Sequence, residues 1–111
     1  MTILAMNRKE LENYIGKEHN YTNKIKECAR KLQCKHLIVT DGSYSIAVCS
    51  MTDMEHCSDV SYINVNKVQT KDIVGAGDYF FAQLILNHKK DIMTATEIAN
   101  EKTQKWLEEK R

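Results

Sequence analysis

Apolar positions fall in short runs separated by charged stretches, and their spacing changes along the chain. Residues 2–6 form an apolar stretch that reads as a short buried strand. Asn7 behind them suits the N-cap of a helix carrying Glu10, Leu11, Tyr14 and Ile15, which Gly16 ends. After a polar loop, Thr22 is placed to cap a second helix, with Ile25, Cys28, Ala29 and Leu32 on one face and Lys and Glu on the other. Residues 36–40 and 45–49 read as strands joined through Asp41-Gly42-Ser43, a hairpin. Between residues 60 and 68, Ile63 and Val65 alternate with Tyr62, Asn64 and Asn66, the pattern of a half-buried strand. Residues 79–86 are apolar nearly all round and read as a buried helix. In the last helix Thr94 and Glu97 stand at capping-box spacing. Ala95, Ile98, Ala99, Thr103, Trp106 and Leu107 form one face before the charged end at residues 108–111.

This order of strand, helices, strands and helices, without an internal repeat, predicts an α/β sandwich. The 111 residues suit one domain, and the absence of proline leaves no marked internal boundary. With 42% hydrophobic and 28% charged residues the chain is globular in composition. A net charge of +1, with Lys and Arg interleaved with Glu, argues against a nucleic-acid partner or a polybasic membrane anchor. The only early apolar run is too short for a signal peptide or membrane span. Cys28, Cys34, Cys49 and Cys57 form no CxxC pair, and the four histidines lack zinc-ligand spacing. Reduced thiols in a cytoplasmic protein are expected, without a structural metal.

Candidate chemistry concentrates in Asp72-Ile73-Val74-Gly75-Ala76-Gly77-Asp78, immediately before the apolar run at 79–86. Two glycines flanking an alanine let backbone N–H groups approach a ligand, and a helix start there attracts anions such as phosphate. A carboxylate beside an anion site is explained as a proton acceptor for a hydroxyl attacking a phosphoryl group. The same residues also fit a simpler role, because an Asp in the first turn of a helix is favourable by itself. The Rossmann fingerprint is not met, since Phe80 stands where its third Gly would be. The P-loop's Gly-Lys-Ser/Thr is missing as well.

With these elements placed, the chain resembles the C-terminal part of the ribokinase-like (phosphofructokinase B type) carbohydrate kinases. Asn7-Arg8-Lys9-Glu10 looks like the family's Asn-x-x-Glu, and Val39-Thr40-Asp41-Gly42 like its strand-ending Val-Thr-x-Gly. Residues 72–78 look like its Asp-Thr-x-Gly-Ala-Gly-Asp signature. The resemblance implies a partial three-layer α/β sandwich, the C-terminal portion of a Rossmann-like core. It implies that Asp78 is the base for a sugar hydroxyl while Gly75, Ala76 and Gly77 offer N–H groups to the transferring phosphoryl. Asn7 and Glu10 would organise water around Mg²⁺, Thr40 and Gly42 would meet the phosphates of ATP, and Asn100 would face the nucleotide base. Asp72 resembles a monovalent-cation (K⁺) ligand of some members, and could equally cap a turn. Two departures bear on this pattern: Ile73 replaces the usual Thr, and Ser45 stands where a Gly is frequent.

The resemblance also implies that the family's N-terminal half, with most sugar contacts and the lid, does not precede Thr2. The expectation is therefore the nucleotide and anion-hole half of an ATP-dependent kinase acting on a sugar or sugar phosphate, inactive alone. The alternative is a non-catalytic nucleotide- or phosphate-binding module that assembles with another chain. Self-association, most simply as a homodimer, is expected from strand edges and apolar helix faces left uncovered.

Overall fold

The computed structural model describes residues 3–16, 20–41, 45–53, 56–65 and 76–109. The chain divides into two compact units, Met1–Asn64 and Val65–Arg111. The first contains β1 (Ile3–Asn7), α1 (Arg8–Ile15), α2 (Tyr21–Leu32), β2 (His36–Asp41), β3 (Ser45–Ser50) and β4 (Ser61–Asn64). The second contains α3 (Ala76–Leu86) and α4 (Ile92–Glu109).

In the first unit the strands lie in the order β1-β2-β3-β4. β1 and β2 run parallel, and the β2–β3 and β3–β4 pairs are antiparallel. A parallel pair needs a crossover, which α1 and α2 supply. Leu37, Val39, Ala47 and Cys49 alternate onto one face, where they pack with Leu11, Ile25, Cys28 and Ala29 of the two helices. Ile38, Ile46 and Val48 point the other way and are buried too. Burial on both faces explains why these strands read as unbroken apolar runs. The expected hairpin is present, with Asp41 opposite Ser45.

Local chemistry sets the helix ends. Gly16 closes α1 at φ 96°, a left-handed conformation costly for other residues, and its N–H donates to the Glu12 carbonyl at 2.8 Å. The cap of α2 is Asn20 and not Thr22: its side chain accepts from the Asn23 N–H at 2.8 Å. The helix starts at Tyr21, which packs on the core, so Thr22 is already inside the first turn and its hydroxyl bonds that of Tyr62 at 2.5 Å. Leu32, expected on the buried face, is exposed, and Cys34 just beyond the helix is buried instead. β4 is shorter than the alternation suggested. Tyr62 is exposed and Ile63 half-buried as expected, and residues 66–68 lie outside the described residues.

In the second unit α3 and α4 pack on each other. Phe80 and Leu84 of α3 are buried, as are Ala95, Thr96, Ala99, Asn100 and Thr103 of α4. The buried threonines satisfy their hydroxyls by donating to carbonyls one turn back, Thr96 to Ile92 and Thr103 to Ala99, both at 2.7 Å. Asp91, not Thr94, caps α4: its carboxylate accepts from the Thr94 N–H at 3.2 Å and its carbonyl accepts from the Ala95 N–H at 2.9 Å. Asp is at least as good a cap as Thr, and using it adds helix length. α3 is only partly covered, with Phe81, Ile85 and Leu86 exposed. No described helix is long and apolar enough to cross a membrane.

Candidate active site

The Asn-x-x-Glu spacing is realised as a capping box. Asn7 ends β1 and caps α1: its side-chain oxygen accepts from the Glu10 N–H at 2.8 Å, and the Asn7 N–H donates to Glu10 Oε1 at 3.0 Å. These reciprocal bonds satisfy two N–H groups that the helix start would leave unpaired and hold both side chains in one geometry. Glu10 Oε2 has no partner among the described residues, and both residues are exposed. A fixed, solvent-facing carboxylate oxygen beside an amide fits a hard cation bound through its waters, so this pair can accommodate Mg²⁺.

Thr40 lies beside Asn7, its partner in the parallel register. The carboxyl ends of β1 and β2 thus bring two of the sequence motifs together, although they are 33 residues apart. In open α/β sheets ligands bind beyond such strand ends. Gly42 falls outside the described residues.

Arg8 and Asp41 were not singled out from the sequence. Arg8 donates from Nη1 to Asp41 Oδ2 at 3.0 Å and from Nε to Glu12 Oε1 at 3.1 Å, and its guanidinium lies 4.3 Å from the centre of the Tyr21 ring. The hydrogen bonds to Asp41 and then Glu12 hold its pKa above the ordinary guanidinium value. Burial pushes the Tyr21 hydroxyl up to about 12. The i,i+4 spacing of Arg8 and Glu12 was legible in the sequence. The contact with Asp41 was not, because only the parallel pairing of β1 with β2 creates it.

In the second unit Ala76, Gly77 and Asp78 form the first turn of α3, where N–H groups lack intrahelical partners. Asp78 is exposed there. A Cβ placed on Gly77 would meet no atom of the described residues within 4 Å. The next residue, Tyr79, stacks on Trp106 of α4 with ring centres 4.8 Å apart and planes 6° from parallel. The stack anchors the turn that carries Asp78. Gly75, Ile73 and Asp72 lie outside the described residues. Asn100 is buried, and Gln104 donates to its side-chain oxygen at 3.2 Å.

A family model described as pfkB family carbohydrate kinase matches residues 1–105. The chain belongs to this family. Solved structures similar to it include adenosine kinase from Schistosoma mansoni in complex with 2-fluoroadenosine, at 20% identity and a TM-score of 0.75, covering 96% of this chain and 34% of the kinase. Ribokinase from Thermotoga maritima is similar at 18% identity and a TM-score of 0.76, over 97% of this chain and 36% of that one. Fructokinase from Vibrio cholerae O395, in a form with fructose, ADP and calcium ion bound, matches at 18% identity and 0.74, over 95% and 34%. These likenesses show a ribokinase-like α/β fold, of which the pfkB chain spans about a third of the matched structures' length. No individual curated protein sequence matches it.

Proposed function

We propose that this pfkB chain is the nucleotide and anion-hole portion of an ATP-dependent carbohydrate kinase, equivalent to the C-terminal part of the complete fold. The observation that carries the reading is Asp78, an exposed carboxylate on a helix's first turn, in a chain matched by the kinase family over residues 1–105. In this reading Asp78 accepts the proton of a sugar hydroxyl as its oxygen bonds to the γ-phosphorus of ATP. The bond from that phosphorus to the β,γ-bridging oxygen breaks, and ADP leaves with the electron pair. The backbone N–H groups of Gly75, Ala76 and Gly77 face the charge that develops on the phosphoryl oxygens. Positioned donors and a positioned base supply most of the catalysis in phosphoryl transfer.

Asn7 and Glu10 would hold Mg²⁺ through water, and the ion when bound neutralises phosphate charge. Thr40 and Gly42 would meet the nucleotide phosphates, and Asn100 would face the base, as the family resemblance implies. Asp72 would serve a K⁺ ion. The acceptor is a sugar or sugar phosphate; a nucleoside, as in the similar adenosine kinase, carries the same kind of hydroxyl. A cytoplasmic location accords with four free thiols, three of them buried.

The alternative reading is a non-catalytic nucleotide- or phosphate-binding module that assembles with another chain. A coupled ADP-release assay over a panel of sugars and nucleosides, paired with a MgATP titration, separates the two. The kinase reading predicts nucleotide binding by this chain and acceptor-dependent ADP release once the rest of the fold is supplied. Binding without release in that completed form would contradict it.

A further inference from the structure

We infer that Arg8 is a positioning residue that ties the end of β2 to the start of α1 and cancels the charge of Asp41 beside the phosphate-facing residues. The inference rests on the reading of Thr40 and the Asn7–Glu10 turn as the phosphate side of a nucleotide site.

Asp41 is the chain neighbour of Thr40, and a free carboxylate there would repel a polyphosphate. Arg8 occupies the equivalent place on the neighbouring element, directly after Asn7. Its guanidinium bonds Asp41 on β2 and Glu12 on α1, and lies over Tyr21 on α2. One side chain, itself next to Asn7, therefore touches α1, α2 and β2, the last at Asp41 next to Thr40. Arg is suited to this because its planar fork presents several donors in fixed directions and stacks on aromatic faces.

The Arg8 and Asp41 side chains are 44% and 23% exposed, and ion pairs in such positions add little to folding. What the contacts do provide is a fixed relation between two residues that must face one ligand, with a negative charge removed from its approach.

The test compares the chain with R8A, R8K, D41N and the R8A/D41N double variant. MgADP affinity is measured by calorimetry and amide exchange at Thr40 and Asp41 by NMR. R8A is expected to weaken MgADP about fivefold, with its melting temperature little changed and exchange at the two amides about threefold faster. R8K, which keeps the charge but not the fork, should fall between. D41N should bind near the original affinity, and the double variant should recover most of the loss, the non-additivity expected of a coupled pair. Unchanged affinity in R8A, or a double variant as weak as R8A alone, would overturn the charge-cancelling role. If the unaltered chain binds no MgADP, the nucleotide reading itself has failed and takes that role with it. The exchange rates then decide the tether alone, faster exchange in R8A upholding it and unchanged exchange refuting it.

Discussion

Asn7 and Thr40 stand side by side as register partners at the carboxyl ends of the parallel strands β1 and β2. The pairing joins two short motifs that are remote in sequence, and the capping box between Asn7 and Glu10 fixes one of them rigidly. The spacing that a capping box requires is the one that the family's Asn-x-x-Glu carries, so one geometry serves both helix initiation and the proposed cation site.

Substitutions can separate these two uses. Asn7→Ala removes the cap and should cost about 1 kcal/mol of stability, read by denaturant unfolding. Glu10→Gln can still accept the Asn7 N–H but loses its charge, so the fold should keep its stability while the Mg²⁺ dependence of nucleotide affinity weakens. An unaltered Mg²⁺ dependence in Glu10→Gln would remove Glu10 from the cation site.

Asp78→Asn, introduced into a longer or reconstituted form that is active, keeps the side chain's size but cannot take a proton. Its kcat should drop by roughly 10²–10⁴ while nucleotide affinity holds. Steady-state kinetics with kcat near that of the unsubstituted enzyme would exclude the base role.

The order of elements was legible because apolar runs of strand or helix length stood between charged stretches, and Asn7, Gly16 and the first turn of α3 were read from local chemistry alone. The misplaced caps, Thr22 for Asn20 and Thr94 for Asp91, share one cause. Two capable residues stood close together, and the choice depended on where the helix could start while still packing on its neighbours. Arg8 and Asp41 stayed hidden because their contact exists only through the β1–β2 register. The covering of α3 was over-read: an all-round apolar helix indicates what could be buried, not what is.

Stability should decline on both sides of neutral pH. Burial lowers the pKa of His36, whose Nδ1 is 2.7 Å from the Ser50 hydroxyl oxygen, so its contribution is complete above about 6.5 and is lost as pH falls through the lower folded value. Asp91, held below its ordinary value by hydrogen bonds from Thr94, acts in the same direction at more acid pH. Burial pushes Cys28 up to about 11 and Cys49 up to about 12, so their contribution is full below the ordinary value of 9.0 and disappears as pH rises through the folded values. Thermal melts from pH 5 to 11 check the contributions of His36 and Cys28. His36→Gln should flatten the slope below neutrality, and an unchanged slope would contradict the assignment.

Self-association is expected from two features. Among the described residues β1 is an edge strand with half-buried apolar residues, and α3 leaves Ile85 52% and Leu86 74% exposed. A closed dimer, in which one patch covers its own copy, is the proposed outcome. Light scattering on a sizing column should show it at micromolar concentration, and Ile85→Lys should shift the balance to monomer. A monomer that binds no hydrophobic dye would contradict the proposal.

The most direct measurement of the central claim is an NMR titration of this chain with MgADP, following the amides of Asn7, Glu10 and Thr40. The account predicts that all three shift together along one saturable curve, while amides at the opposite strand ends, such as Ile3 and His36, stay in place. No shift at these three residues, or shifts confined to other parts of the chain, would contradict the assignment of the β1–β2 strand ends to the nucleotide.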